Sequence, residues 1–221
     1  ALKGLDAKFW AMKELSEGGT KQLEAMADFY RGLFQALGYR PETKEHQTSS
    51  GQAYSHFVDV RRSTVPELFA MLVDQPEVGA FETPPVFLKS DTNSEIAPVD
   101  CELSEVLSEE LQDSQNPPRW ILVGAPNALF IIERNKWSFG RYLRIEWQEI
   151  FLQRDAKPYE VLFGLVAQRI LCPEAGNSPY DEFDDNSHRH AFEVTTELRE
   201  SVREAIELLI NEMIDLKKEG H

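Results

Sequence analysis

The sequence predicts an α+β fold: a small mixed sheet with flanking helices and a helical C-terminal tail. Three observations predict it. Residues 119–134, "RWILVGAPNALFIIER", set two β-rich apolar runs around Gly124-Ala125-Pro126-Asn127, the pattern of a hairpin. Residues 20–37 keep Leu23, Met26, Ala27, Tyr30, Phe34 and Leu37 on one helical face. In 193–217, Leu198, Val202, Ala205, Leu209, Met213 and Leu216 recur at three- and four-residue intervals, placing a long helix after the sheet.

The elements follow in order. Residues 6–15 and 20–37 read as a helical pair broken at Gly18-Gly19, with Thr20 as N-cap and Gly38 as terminator. Residues 40–53, "RPETKEHQTSSGQA", are polar and rich in Gly and Ser, and read as a loop. Two runs of strand length follow, 54–60 and 67–74, with Pro66 in the turn between them. Residues 75–100 are rich in proline and acid and read as an irregular excursion. In 101–113, Leu103, Val106, Leu107 and Leu111 share one side of an amphipathic helix. After the hairpin, 141–147 reads as a third strand beside it. A helix over 158–171 opens at Pro158, and Lys217 and Lys218 suit the C-terminal dipole of the final helix.

Composition sets limits on function. The 221 residues, 42% hydrophobic and 28% charged, suit a soluble globular protein with a real core. No apolar run reaches the roughly 20 residues of a membrane helix, and the start lacks the profile of a secretory signal. Cys101 and Cys172 have no zinc spacing and imply a reducing compartment, so the expected location is the cytoplasm, with no membrane partner. A formal net charge of −15 repels nucleic acid as a whole, so any DNA contact requires a local basic patch.

Three stretches have the look of chemistry. Asn177-Ser178-Pro179-Tyr180 is close to an Asn-Pro-Pro-Tyr base-holding loop, but Ser178 replaces a proline and no Gly-rich cofactor turn lies upstream. It reads as a turn before a helix. His188 and His190, at i and i+2, point about 200° apart on a helix, whereas zinc helices use i, i+4. With Asp181, Glu182, Asp184 and Asp185 they read as a solvated acidic helix start, and no metal site is expected. In "ERNKWSFGRYLR" (133–144), Arg134, Lys136, Arg141 and Arg144 alternate with Trp137, Phe139 and Tyr142. That mixture suits a nucleic-acid surface, but the favoured reading is a strand pair with aromatics inside and arginines facing water or paired to carboxylates.

The element order, with "ALGY" closing an N-terminal helix and the phrases "RWILVGAPNALFIIERNKW", "GRYLRIEWQEIF" and "DDNSHRHAFEVTTELRESVREAIELLINE", carries a resemblance. The chain resembles the N-terminal region of large bacterial adenine-specific DNA methyltransferases of the type IIG restriction–modification and phage-defence kind. The likeness covers residues 117–216 best, and residues 1–116 match in element order. It implies a nuclease-like α+β domain over 1–155, similar to a degenerate PD-(D/E)xK core, and a helical connector over 156–218. Residues 219–221 read as the remnant of a purification tag.

In such a core two acids hold Mg²⁺ and a lysine orients the attacking water. By position the resemblance implies Asp59, Asp74 and Lys89. However, Asp74 is followed by Gln75 and Pro76, and Phe87 stands where the Glu before Lys89 belongs. The expectation is therefore a structural or DNA-positioning module with a degenerate nuclease site. Methyl transfer from S-adenosylmethionine would belong to a downstream methyltransferase domain in cis, and the parent protein would meet DNA. Two alternatives stay open: an active Mg²⁺-dependent endonuclease, and an acidic protein-interaction module. If this chain touches DNA itself, the expected residues are Arg134, Lys136, Arg141 and Arg144.

Overall fold

A computed structural model describes residues 4–15, 20–48, 50–51, 53–74, 80–82, 86–87, 97–98, 101–113, 115–153, 157–183, 186–187, 202–203 and 206. The chain divides into two units, Ala1–Glu174 and Ala175–His221. The first opens with α1 (Leu5–Lys13) and α2 (Thr20–Ala36), followed by a polar hairpin, β1 (Lys44–Gln47) and β2 (Ala53–His56). Next come β3 (Val58–Arg62), β4 (Val65–Leu72), the short pair β5 (Val86–Phe87) and β6 (Ala97–Pro98), and α3 (Leu103–Ser108). After α3 the chain continues through one π-helical turn, Glu109–Asp113. Then follow β7 (Trp120–Gly124), β8 (Ala128–Glu133), α4 (Arg134–Trp137), β9 (Leu143–Glu146), α5 (Trp147–Leu152), α6 (Lys157–Val166) and α7 (Gln168–Leu171).

Five strands form one mixed sheet in the order β3-β4-β7-β8-β9. Every neighbouring pair is antiparallel except β4 and β7, which run parallel with Leu68 opposite Trp120. All five residues of β7 are buried. A continuous apolar run of that kind marks a central strand covered on both faces. On one face Met71, Val73, Ile121, Val123, Phe130 and Ile132 pack with Leu103, Val106, Leu107 and Leu111 of the α3 region. On the other face α2 crosses the sheet. Its Tyr30 hydroxyl lies 2.7 Å from the carbonyls of both Ala125 and Ala128 and accepts a hydrogen bond from Trp147 Nε1 at 2.9 Å. That one oxygen ties α2, the β7–β8 turn and α5 together. Around it Phe9, Phe29, Trp147 and Phe151 pack with centroids about 5–6 Å apart, Phe29 meeting Trp147 and Phe151 edge to face, a spacing aromatic pairs favour.

Helix α2 stops because Gly38 adopts φ 95°, a left-handed conformation that costs glycine little. Tyr39 N–H then donates to Phe34 O at 2.8 Å and Gly38 N–H to Gln35 O at 3.2 Å, the two bonds of a Schellman cap. The expected α+β class, mixed sheet, hairpin and third strand are all present, as is the buried stripe of α3.

Four readings of the sequence need correction. Residues 44–47 are strand β1, not loop; the Ser/Gly run is its hairpin turn, with Gly51 at φ 93° and Gly51 N–H bonded to Thr48 O. The run 54–60 is two strands parted at Phe57, because β2 pairs with β1 and β3 pairs with β4. Pro66 sits inside β4, opposite Arg61, where the register of β3 shifts. Its missing N–H costs nothing there, since β7 joins β4 only from Leu68 onward. The turn is Ser63-Thr64, with Ser63 at φ 59°. Finally, 158–171 is two helices. Ala167 is extended, the Tyr39 hydroxyl donates to Val166 O at 2.7 Å, and Gln168 N–H donates to Leu37 O at 2.9 Å. These contacts with the end of α2 satisfy the groups the break exposes. The long helix expected over 193–217 lies almost wholly outside the described residues. No helix among the described residues is long and apolar enough to cross a membrane.

Candidate functional site

Of the residues expected to hold Mg²⁺, Asp59 and Asp74 are placed by the structure at separate points of the sheet. Asp59 lies on edge strand β3 opposite Phe69 of β4. Asp74 is five residues further along that strand direction, about 16 Å away at 3.3 Å per residue. Two oxygens on one Mg²⁺ stand no more than about 4.2 Å apart, given bonds of 2.0–2.1 Å. Lys89 lies outside the described residues.

Asp59 instead borders a cleft of roughly 900 Å³ between β3, the end of α2 and the α6–α7 region, lined among others by Gly38, Arg40, Arg61, Arg169 and Glu174. Arg61 Nε donates to both carboxylate oxygens of Asp59 at 2.9 Å. The carboxylate's side chain is 11% exposed and the arginine's 44%. A guanidinium thus occupies the lone pairs that a metal would need. Arg40 and Arg169 are exposed, and among the described residues neither makes an ion pair. The bond from Gln168 N–H to Leu37 O holds α7 against the end of α2, and so sets both arginines on the same cleft. Burial and nearby Glu67 push the Cys172 thiol, also on this wall, up to about 12, so it stays protonated at neutral pH.

The basic segment is sorted by the fold. Arg134 Nη1 donates to Pro117 O at 2.9 Å. Arg144 lies over the Phe130 ring, with Nη2 3.4 Å from Glu146 Oε1, and its Nε is buried without a hydrogen-bond partner. Lys136 is half-buried, and its carbonyl accepts the N–H groups of Phe139 and Arg141. Arg141 is exposed beside Phe139, which is 72% exposed. Arg134 and Arg144 are therefore committed within the protein, and the four residues do not form one open phosphate-binding row.

A second group of polar side chains was not expected from the sequence. His46 on β1, Tyr54 and His56 on β2, and Glu110 in the π-helical turn meet in the interior. His46 Nε2 is 3.0 Å from Glu110 Oε1, and the Tyr54 hydroxyl is 2.9 Å from His56 Nε2. The imidazoles stack at 4.3 Å, and His56 stacks on Phe69 at 3.9 Å. His56 is 2% exposed and Glu110 3%. Burial, with the adjacent His46 and Arg61, pushes the His56 imidazole down to about 2, so it is neutral. Burial and Glu110 push the Tyr54 phenol well above its usual range. The signal for this group is the hairpin register: His46 faces Tyr54, so Tyr54 and His56 share its side of the ribbon.

In the second unit, Asn177 and Ser178 precede a helix as expected, but Pro179 and Tyr180 are its first residues rather than part of a turn. Tyr180 N–H donates to Ser178 Oγ at 3.3 Å, an N-cap bond, and Ser178 N–H donates to Asp181 Oδ2 at 2.9 Å, at the head of helix 179–183. His188 and His190 lie outside the described residues. Comparison with family models, curated proteins and solved structures finds no match for this chain.

Proposed function

We propose that this chain is a non-cutting, DNA-positioning N-terminal module of an adenine-specific DNA methyltransferase of the type IIG kind, and that duplex phosphates rest in the cleft beside β3. The observation that carries the reading is the Asp59–Arg61 pair inside an arginine-lined cleft. A cutting centre needs open carboxylates sharing Mg²⁺; here the acid is neutralised and two further guanidiniums face the same space. In a chain of net charge −15, Arg40 and Arg169, which make no ion pair among the described residues and line one cleft, offer the local positive charge a phosphate contact requires. Methyl transfer would belong to a downstream domain that carries S-adenosylmethionine.

The test is binding of a labelled duplex by anisotropy across a salt series. Wild-type protein should bind at low salt, and Arg40→Ala/Arg169→Ala should lower the slope of log affinity against log salt by about two. No binding by the wild type at low salt would end the reading and leave an acidic protein-interaction module in its place. In a parallel assay with Mg²⁺, plasmid should stay intact. Cutting that Asp59→Ala abolishes would establish the endonuclease alternative instead.

A further inference from the structure

We propose that His46, His56 and Glu110 form a transition-metal site, with Zn²⁺ the ion that fits best. The three offer one donor atom each, and these atoms all lie within 4.8 Å of one another. Zinc bonds of 2.0–2.2 Å in tetrahedral geometry place neighbouring donors about 3.3–3.5 Å apart. His46 Nε2 and Glu110 Oε1, at 3.0 Å, already stand close to one such edge. Two imidazoles and one carboxylate suit Zn²⁺, Co²⁺ or Ni²⁺, whereas Mg²⁺ and Ca²⁺ prefer an all-oxygen set. The Tyr54 hydroxyl, 2.9 Å from His56 Nε2, borders the remaining position.

Local structure favours the assembly. Glu110 reaches the interior from a π-helical turn, a rare conformation that recurs at functional sites. Beside it Ser50, in the turn between β1 and β2, is held through its N–H and hydroxyl by Glu109. The hairpin and the end of α3 therefore already meet, and a metal would pin the same joint.

One movement is required. The two rings stack within 18° of parallel, and planes that are parallel but offset cannot both contain the same ion. One imidazole must turn about its side-chain bonds. His46 can do so, because its side chain is 29% exposed and lies on the outer strand, whereas His56 is sandwiched between His46 and Phe69. The present arrangement, with His46 on Glu110 and Tyr54 on His56, is the metal-free form of the site. The rival account is that these bonds are a closed polar network with no affinity for metal. The proposal is independent of the DNA reading.

The test uses the whole chain, stripped with a chelator and dialysed. One equivalent of Co²⁺ should give the intense visible bands of a low-coordinate site. Zn²⁺ at about a hundred times its dissociation constant should raise Tm by about 5–10 °C, and Mg²⁺ should not. Glu110→Gln, which keeps the side-chain shape, and His46→Gln should each weaken Co²⁺ binding at least about tenfold. Should a variant fail to fold, the wild-type titration decides alone. No visible bands and no Tm shift would overturn the proposal, as would binding that survives both substitutions.

Discussion

His56 shows what a single buried side chain does to the whole protein's response to pH. It is neutral when folded, held so by burial and by the neighbouring His46 and Arg61, while Glu110 and Tyr54 face it from the other side. The unfolded chain gains a proton at this position below about pH 6.5 and the folded chain does not. The contribution is therefore fully present above pH 6.5 and lost as pH falls toward 2. Urea unfolding of metal-free protein at pH 7 and pH 4.5 should show wild type losing about 2–3 kcal/mol more than His56→Gln. Nothing in the linear order marks His46 and His56 as neighbours. The turn between their strands lies in a run so polar that it has no strand pattern of its own. Only after His46 stands opposite Tyr54 does the two-residue alternation bring the second imidazole alongside. The acids fare differently: the resemblance pairs Asp59 with Asp74, whereas Asp59 stands opposite Phe69, five residues before Asp74.

At the scale of elements, what local pattern governs was legible and what tertiary contact governs was not. Strands β7 and β8, helix α2 with its Gly38 cap, and the apolar stripe of α3 each declare themselves through periodicity and turn residues. The break between α6 and α7 does not, because its cause is Tyr39 and Leu37, more than a hundred residues away in sequence. Two glycines separate the two kinds of information. A Cβ on Gly124 would lie 2.6 Å from Leu72 Cδ2 and 2.8 Å from Tyr30 Cζ, inside the layer where α2 meets the sheet. Gly124→Ala should destabilise the protein by about 1–3 kcal/mol in chemical denaturation. Gly164, in the last turn of α6, has open space around its Cβ position. Gly164→Ala should stabilise by up to about 1 kcal/mol through helix propensity.

For the whole molecule, the governing facts are a large negative charge with an arginine-lined cleft set into it, and a sheet built from two local pieces. The first confines any polyanion contact to the cleft, since the rest of the chain repels phosphate. The second carries a consequence in time. β3–β4 and β7–β8–β9 are each made of sequence neighbours, but the parallel β4–β7 seam joins Leu68 to Trp120 and Ala70 to Leu122. Closing a loop of that length is the slow step in assembling such a sheet. In stopped-flow measurements, Leu122→Ala at the seam should depress the refolding arm of the chevron, and Ile145→Ala on edge strand β9 should chiefly raise the unfolding arm. During synthesis the amino-terminal hairpins leave the ribosome long before β7 does. For that interval β4 presents an open edge, and the face that the α3 region later covers is bare, so the nascent chain depends on how soon the remaining elements arrive.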